Sequence, residues 1–460
     1  MKIVVCIKQS ADGEINPFDA SAYETALKID GAEVILLSMG PEKTEPFLEN
    51  LTRLGASRAI LLCDKAFAGA DTLATSYALS LAIRQISPDL VFCGRQSVDG
   101  DTGQVGPSLS SRLKMPLVTN VMRLYKDGSG LKAFDRFNKT TDIHEPSVVT
   151  VEKSERLRLV SIRSKAKSVE IMTAADINAD LSLCGLVGSP TRVVKIYENN
   201  ADRRKCKFIS GDELKSAILE GLGKKRTDFV FNESENKLKN VWCVGERPIE
   251  YAKTIGENIT VISPDLPEKT ATLIREHSPD AVLWASDNES KALAPQVAAI
   301  LNTGLCADCT TLETDGKALY MYRPACSGNI IAKIVCNTAP PMATVRTTDG
   351  ESAPITFGIG FGAAKYIDKI RRWAVQMNGE IAATRKAVDN DYLPYELQVG
   401  LTGKTIAPDV YVAIGISGAV HHIVGMKQSG TVIAINPDKN APIFDYADYG
   451  IVDSIENISL

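Results

Sequence analysis

The sequence lacks the features that mark membrane-spanning, nucleic-acid-binding and secreted proteins. No stretch approaches the ~20 apolar residues of a membrane helix, so we expect no membrane span. The formal net charge is −4, which argues against nucleic acid as the main partner because phosphate-binding surfaces usually carry a basic excess. The opening KIVVCI shows no signal-peptide pattern, and we expect a cytoplasmic protein.

Histidine is scarce, at four residues, and its placement argues against a serine hydrolase. The stretch YVAIGISGAVHHIVGM (411–426) resembles a nucleophile elbow around Ser417, but Ala419 stands where the last glycine belongs. Elbow hydrolases place their histidine later in the chain, and none follows His422. His421 and His422 are also too close in sequence to act as a base on Ser417.

Two glycine-rich stretches fail as phosphate-binding motifs. GLTGKT (400–405) has Gln398 where a Walker loop needs its first glycine, and Pro408 interrupts the helix that should follow. TFGIGFG (356–362) lacks the G-x-G-x-x-G spacing of a Rossmann fingerprint. We interpret both as turns.

The ten cysteines lie mostly in apolar, strand-like runs, which is typical of buried free thiols in a reducing compartment. Cys306 and Cys309 form one CxxC, but no second pair follows at the spacing of a zinc finger. We therefore expect no metal site.

The N-terminal part alternates strand-like and helix-like segments, with Asp71 as the expected N-cap of one helix. The strands are apolar throughout, which indicates a parallel sheet covered on both faces. The segments in chain order are KIVVCI, DASAYETALKI, AEVILLS, EPFLENLTRLG, RAILLCD, DTLATSYALSLAIRQI and DLVFCG.

The pattern recurs later in the chain. SPDLVFCG (87–94) is echoed by SPDAVLWAS (278–286), and each is followed by a helix that we expect to begin at a proline, Pro107 or Pro295. This predicts two duplicated α/β domains. Only the first copy carries RQSVDGDTGQVG, whose small residues let backbone approach a phosphate.

The stretch between the copies, 195–240, is polar and contains one predicted helix over 212–222. We interpret it as a solvated connector whose helix could dock on a neighbouring domain. A third unit follows residue 346.

The C-terminal unit contains a predicted nucleotide loop. The strand VYVAIG ends at Gly415, Gly418 lets the turn approach a ligand, and the next strand ends at Asn436. Loops at the carboxyl ends of adjacent parallel strands bind ligands in open α/β sheets. Ser417 and Asn436 would then serve a phosphate-and-ribose site.

Three long stretches of the chain resemble the electron transfer flavoprotein family. The run from ATRKAVDNDYLPYELQVG to IFDYADYGIV is similar to the FAD-binding domain of the alpha subunit. The segments NTGLCADCT and YRPACSGNIIAKI are similar to the N-terminal domain of the same subunit. MKIVVCIKQ, NPFDASAYETAL, GRQSVDGDTGQVG and GSPTRVVKI resemble the beta subunit. The resemblance implies a beta–alpha fusion in one chain.

The family's fold implies two homologous adenine-nucleotide-hydrolase-like parallel-sheet domains plus a C-terminal Rossmann-like FAD-binding domain. The corresponding boundaries are 1–194 for the beta-like domain, 241–346 for the alpha-like N-terminal domain and 347–460 for the FAD-binding domain, with the connector at 195–240.

The resemblance also implies the FAD contacts. Thr384 and Arg385 would lie beside the isoalloxazine, Thr402 near N5, and His422 at the O2/N1 edge, where a donor favours the negatively charged reduced flavin. From the sequence alone, His422 is equally well interpreted as a core histidine whose ring is hydrogen-bonded to the backbone. We interpret His421 as a surface or supporting residue. The remaining FAD positions are Phe361, Gln398, Val399, Gly400, Gly415, Ser417, Gly418 and Asn436.

A second nucleotide is implied in the beta-like domain, either AMP or a second FAD. The DGDTGQVGP spelling resembles members that oxidise NADH and bifurcate electrons, whereas the short segment between QSADG and INPFD argues for simple carriers. The matching positions are Cys6, Asn16, Pro17, Phe18, Asp19, Met39, Asp99, Asp101, Thr102, Gly103, Gln104 and Val105.

The family implies an electron carrier between a flavin-dependent dehydrogenase and a downstream acceptor. An NADH-oxidising bifurcating flavoprotein and a non-redox nucleotide-binding module remain as alternatives. The docking segment would be 159–162, with Val160 as the apolar contact.

Several positions depart from the family pattern. Phe361 replaces an arginine over the flavin, and the loss of that cation should make reduction less favourable. Ser454, beside Asp453, stands at an acidic ribose position, and Cys326 replaces a bulky aromatic.

Overall fold

The protein is described by a computed structural model covering residues 1–128, 130–198, 203–224, 233–325, 330–348 and 352–460. The chain divides into two compact units. The first comprises 1–196, 233–326 and 332–345, and the second comprises 197–232, 327–331 and 346–460.

The region up to residue 198 contains ten strands and four α-helices. The strands are β1 Lys2–Cys6, β2 Glu33–Met39, β3 Arg58–Leu62, β4 Leu90–Gly94, β5 Leu117–Asp127, β6 Gly130–Asp135, β7 Thr140–Ile143, β8 Ser147–Val151, β9 Val169–Met172 and β10 Thr191–Glu198. The helices are α1 Pro17–Leu27, α2 Glu45–Thr52, α3 Thr72–Ile86 and α4 Val105–Leu113.

The described residues between 203 and 348 form nine strands and four α-helices. The strands are β11 Lys207–Phe208, β12 Leu238–Val244, β13 Gly256–Ile262, β14 Ala281–Ala285, β15 Leu305–Cys309, β16 Thr311–Thr314, β17 Leu319–Ala325, β18 Ile330–Cys336 and β19 Met342–Val345. The helices are α5 Leu214–Gly221, α6 Ile249–Ile255, α7 Pro267–His277 and α8 Asn288–Leu301.

The C-terminal region contains five strands and three α-helices. The strands are β20 Ile355–Ile359, β21 Glu380–Ala383, β22 Val410–Ile414, β23 Thr431–Ile435 and β24 Tyr449–Ile451. The helices are α9 Ile367–Gln376, α10 Arg385–Val388 and α11 Val420–Met426.

The first unit is built on a nine-stranded sheet in the order β7-β6-β5-β8-β4-β1-β2-β3-β9. The strands β5, β8, β4, β1, β2, β3 and β9 are parallel to their neighbours in this order. At one edge, β6 pairs antiparallel with β5, and β7 pairs antiparallel with β6. The inner strands are buried on both faces, as the apolar runs predict. Asp71 caps α3 by accepting from the N–H groups of Leu73 and Ala74, which confirms the predicted N-cap.

The second part of this unit repeats the same plan. Its five-stranded sheet has the order β13-β12-β14-β19-β15, which corresponds strand for strand to β2-β1-β4-β8-β5. The predicted duplication is therefore present in the fold. A further sheet has the order β10-β18-β17-β16.

The prolines do not begin the two equivalent helices. α4 begins at Val105, before Pro107, and α8 begins at Asn288, with Asp287 as its N-cap and Pro295 inside the helix. The prediction of proline-led helices was wrong because an aspartate side chain, which accepts from the N–H of Ser290, starts α8 instead.

The second unit contains a six-stranded, fully parallel sheet in the order β11-β24-β23-β22-β20-β21. Its edge strand β11 comes from the predicted connector. α5 belongs to the same core, into which it buries Leu214, Ala217 and Ile218. The interpretation as a solvated segment was therefore wrong for β11, which is a strand of this sheet, whereas the expected docking of the helix on a neighbouring domain is confirmed by the packing of α5 in that core.

The strand order of this sheet contains a switch point. β20 lies between β21 and β22, so the chain leaves β20 toward one side and returns to β22 on the other. Ligands of open α/β sheets bind outside the carboxyl ends of the strands at such a switch point. Among the described residues, no helix has the length and apolar character needed to cross a membrane.

Candidate functional site

The carboxyl edge of the six-stranded sheet brings most of the predicted FAD positions into one region. Phe361 follows β20, Thr384 follows β21, the turn from Gly415 to Gly418 follows β22, and Asn436 follows β23. Backbone bridges Ala383–Gln398 and Val399–Lys404 attach the 398–404 turn to the same edge. The parallel register of the sheet produces this cluster.

The turn after β22 is fixed by the protein's own backbone. Gly415 and Gly418 have φ values of +61° and +94°, in the region that favours glycine. A Cβ at Gly418 would lie 2.2 Å from the nitrogen of Ile443. This close contact with the backbone of Ile443 requires a glycine at this position, whereas the approach of the turn to a ligand stays a prediction. Ser417 itself is exposed.

Asn436 connects neighbouring loops. Its Nδ2 donates to the carbonyl oxygen of Ile416 at 2.9 Å, and its Oδ1 accepts from the N–H of Asp438 at 2.9 Å. The side chain is buried. Its position at the strand end is therefore maintained by contacts within the protein, and it holds the Gly415–Gly418 turn against β23.

His422 is buried, with a partner at each ring nitrogen. Nδ1 lies 3.0 Å from the carbonyl oxygen of Val399, and Nε2 lies 2.9 Å from the hydroxyl oxygen of Tyr411. A carbonyl oxygen only accepts, so Nδ1 carries the proton and Nε2 accepts from Tyr411. Burial lowers the pKa of His422 to about 4, so the ring is neutral at physiological pH. This geometry is that of the core histidine that the sequence left as the alternative.

The turn at 398–405 is supported by a buried arginine that sequence reasoning missed. Arg346 donates to the carbonyl oxygen of Leu401 at 2.5 Å and to Oγ1 of Thr405 at 3.2 Å. Within the turn, Nε2 of Gln398 donates to Oγ1 of Thr402 at 2.8 Å. A Cβ at Gly400 would lie 2.5 Å from the carbonyl oxygen of His421, so this glycine allows the turn to contact α11.

Thr384 contributes a buried hydroxyl to this edge. Its side chain is buried, with 9% of its surface exposed, and its Oγ1 has no hydrogen-bond partner in the part of the chain that the structure describes. A buried hydroxyl without a partner costs about 1–3 kcal/mol, so such groups are rare unless another molecule satisfies them. The residue therefore suits a polar cofactor atom at this edge.

Two cationic residues, Arg385 and Lys386, follow Thr384 directly in the chain. Arg385 pairs with Asp389, with Nε 3.3 Å from Oδ2. The pKa of the half-buried His421 is lowered by burial and by the charge of Arg385. Nζ of Lys386 lies 4.7 Å from the centroid of the Phe361 ring, whose edge contacts Tyr392 at a centroid distance of 5.9 Å.

A second cluster lies at the carboxyl edge of the nine-stranded sheet. The carboxylate of Asp19 accepts from the N–H of Lys8 at 2.8 Å and from that of Gly94 at 3.2 Å, and burial raises its pKa to about 7. Nδ2 of Asn16 donates to the carbonyl oxygen of Gln96 at 2.9 Å. Cys6 and Cys93 are register partners on β1 and β4, and both are buried. Met39 ends β2 at the same edge.

The loop before α4 is ordered by its own polar contacts. Asp99 pairs with Lys8 at 2.7 Å, and Asp101 accepts from Gln96 at 2.8 Å. Asp101 and Gly103 have φ values of +49° and +64°. Thr102 is half-buried between them.

The loop ends at a glutamine that joins the two duplicated halves. Gln104 Nε2 donates to the carbonyl oxygen of Leu305 at 3.1 Å, and Oε1 accepts from Thr72. Val105 then begins α4. The loop thus lies against both halves of the first unit.

The predicted docking segment presents different residues from the one expected. Leu159 and Ile162 are 94% and 98% exposed, whereas Val160 packs on the core of the nine-stranded sheet. Val160 is therefore less accessible to a partner than Leu159 and Ile162 are. At the C-terminal end, Oδ1 of Asp453 accepts from the N–H of Ser454 at 2.6 Å. Cys326 lies outside the described residues.

Two family models match the chain. The model of the electron transfer flavoprotein domain matches residues 3–178 and again 267–357, and that of the electron transfer flavoprotein FAD-binding domain matches 351–427. The double match agrees with the duplicated sheets.

Relatives of both subunit types match different parts of the chain. It is 40% identical to the electron transfer flavoprotein subunit beta of Thermoanaerobacterium thermosaccharolyticum, over 43% of this chain and 80% of that protein. It is 36% identical to the subunit alpha of the same organism, over 49% of this chain and 76% of that protein. Protein FixA of Azorhizobium caulinodans is 35% identical over 46% of this chain and 90% of its own length.

Proposed function

Since the chain belongs to the electron transfer flavoprotein family, with beta-like and alpha-like parts in one polypeptide, we propose that it carries electrons through an FAD bound at the carboxyl edge of the six-stranded sheet. The electron donor is a flavin-dependent dehydrogenase, and a downstream acceptor takes the electrons away. FAD supplies reversible redox chemistry that no amino-acid side chain offers.

The observation that carries this proposal is the unpartnered, buried hydroxyl of Thr384 at the carboxyl end of β21. It offers a cofactor atom a hydrogen bond that the protein does not supply itself. Arg385 and Lys386 add positive charge to the same edge, which suits a reduced flavin. Ser417 is exposed on the turn after β22.

The roles of the neighbouring residues follow from their contacts. Gln398, Val399, Gly400 and Thr402 form the turn that borders the site, and Arg346 holds that turn in place. His422 acts as a positioning residue, because its Nδ1 donates to Val399 and its Nε2 is occupied by Tyr411.

A second adenine nucleotide, AMP or another FAD, is proposed for the carboxyl edge of the nine-stranded sheet. The support is the meeting of Cys6, Asn16, Asp19 and Met39 with the 99–105 loop at this edge. A second FAD would favour the NADH-oxidising alternative. Denaturing the purified protein and counting one or two flavins per chain, then adding NADH to test for bleaching, separates the two functions.

The test of the FAD site uses Thr384→Val with Thr384→Ser as the matched control. Valine removes the unpartnered hydroxyl, so the protein without FAD should be as stable as the wild type or more so, while its affinity for FAD falls about tenfold or more. Serine keeps the hydroxyl and should bind FAD nearly normally. A colourless wild-type preparation that stays colourless after incubation with FAD would contradict the whole proposal.

The proposed contact with the dehydrogenase is the exposed apolar pair Leu159 and Ile162. Two large side chains that are almost fully exposed suit a partner surface better than water. Leu159→Ala with Ile162→Ala should slow reduction by the partner dehydrogenase and leave FAD content unchanged. An unchanged rate would remove this segment from the docking surface.

A further inference from the structure

An exposed aromatic ring follows β20 at the carboxyl edge of the six-stranded sheet. Phe361 follows Gly360 directly, and a Cβ at Gly360 would lie 2.0 Å from the carbonyl oxygen of Gly415. The loops after β20 and β22 therefore touch at this glycine. The side chain of Phe361, next to that contact, is 41% exposed.

A lysine from a different strand end covers this ring. Lys386 lies in α10, which follows β21, and its Nζ is 4.7 Å from the ring centroid of Phe361. Tyr392 contacts the ring edge-on, at an interplanar angle of 77°. A cation over an exposed ring gains only about 0.5–1 kcal/mol, which is enough to orient the lysine without neutralising its charge.

Lys386 and its neighbour Arg385 both carry a positive charge, but they differ in whether a carboxylate lies beside them. Arg385 pairs with the carboxylate of Asp389, whereas Lys386 makes no ion pair within the described residues. Two adjacent cations thus lie after β21, and a carboxylate neutralises the charge of Arg385 but not that of Lys386. An uncompensated cation at a ligand-binding edge favours whichever form of the ligand is more negative.

We infer that Lys386, oriented by Phe361, supplies the positive charge that makes reduction of the bound flavin more favourable. This inference rests on the proposed function. The sequence shows phenylalanine where the resemblance expects an arginine, and therefore predicts the loss of a cation. The fold restores the charge from another segment, by placing the lysine of α10 over the phenylalanine that follows β20.

The experiment uses the full chain loaded with FAD and compares midpoint potentials from a spectroelectrochemical titration. In Lys386→Met, reduced FAD should bind about tenfold more weakly relative to oxidised FAD, which corresponds to a midpoint potential lower by ~30 mV for a two-electron couple. The dissociation constant of oxidised FAD should stay within about twofold of the wild type. Lys386→Arg keeps the charge and should titrate like the wild type.

Two further variants test the role of the aromatic ring and the effect of removing a distant positive charge. Phe361→Leu removes the ring that orients the lysine and should lower the potential in the same direction by a smaller amount. Arg372→Met removes one positive charge from the exposed face of α9 and should leave the potential unchanged.

The outcomes separate the two proposals. If Lys386→Met titrates at the wild-type potential, or if it loses oxidised FAD while Arg372→Met keeps it, the role of Lys386 is overturned. A wild-type chain that binds no FAD overturns the proposed function instead. Should the chain hold two flavins, only one of the two transitions should move.

Discussion

The hydroxyl of Tyr411 donates to Nε2 of His422 across 2.9 Å in the interior of the six-stranded domain. The same hydroxyl explains a glycine in the TFGIGFG stretch, because a Cβ at Gly358 would lie 1.9 Å from it. His422 in turn donates through Nδ1 to Val399. One buried chain of hydrogen bonds thus connects β22, α11 and the turn that borders the proposed FAD site.

This arrangement predicts that Tyr411→Phe acts on stability. Phenylalanine leaves the buried Nε2 acceptor without a donor, which should lower the free energy of unfolding by about 1–3 kcal/mol. The midpoint potential of the bound flavin should not change. Urea unfolding followed by the fluorescence of Trp373, in a background where the other two tryptophans are replaced, measures the first effect. A redox titration measures the second.

His422→Ala tests the other end of this chain of hydrogen bonds. We expect FAD to bind more weakly because Val399 loses the donor that holds its turn, with little change in the ratio of affinities for reduced and oxidised FAD. A large shift in midpoint potential with unchanged stability would return His422 to a direct role at the flavin. The double variant with Tyr411→Phe should cost less than the sum of the single variants.

Asp19 predicts a pH dependence in the first unit. Burial raises its pKa from 3.8 to about 7, so the folded protein holds this proton more tightly than the unfolded chain. The stability that this proton provides is present below about pH 4 and is lost as the pH rises through about 7, by at most about 4 kcal/mol. Asp19→Asn should flatten the decline in unfolding free energy between pH 5 and pH 8.

The matched control for this experiment is Asp12→Asn, which removes an exposed carboxylate from the same part of the chain. Its pH profile should follow that of the wild type. Both proteins should be measured without added nucleotide, since a ligand at this edge would add its own pH dependence. Parallel profiles for Asp19→Asn and the wild type would show that Asp19 is ionised in both states.

Arg346 predicts a local effect on the turn at 398–405. Arg346→Met removes donors to Leu401 and Thr405, so the backbone amides of the turn should exchange hydrogen faster. Those amides include Lys404, which donates to Gln398, and Leu401, which donates to His421. Hydrogen exchange with mass spectrometry resolves this segment. Arg346→Lys cannot reach both acceptors at once and should give an intermediate rate, and unchanged exchange in Arg346→Met would show that the turn is held by other contacts.

Hydrophobic pattern and local motifs predicted the parallel sheets, the duplicated halves and the strand ends where candidate residues gather. They did not predict what each side chain does there. Ser417, Asn436 and His422 all look like ligand contacts in sequence, yet two of them are bound to backbone inside the fold. Arg346 and Lys386 gave no local signal, because their partners come from segments distant in the chain. The sequence placed α5 in a connector, because only tertiary packing reveals which domain covers its apolar face.

The last prediction concerns the buried charges that join the two duplicated halves. Oε1 of Glu152 lies 2.8 Å from Nε of Arg95 and 2.6 Å from Nη1 of Arg136, and Arg136 also donates to Asn288 of the second half at 2.8 Å. Glu152→Gln removes a buried negative charge from between two guanidinium groups and should lower the free energy of unfolding by about 3–5 kcal/mol. Glu170→Gln breaks an exposed pair that links β3 to β9 and should cost at most about 1 kcal/mol. Equal losses in urea unfolding of the two variants would show that Glu152 contributes no more than a surface charge.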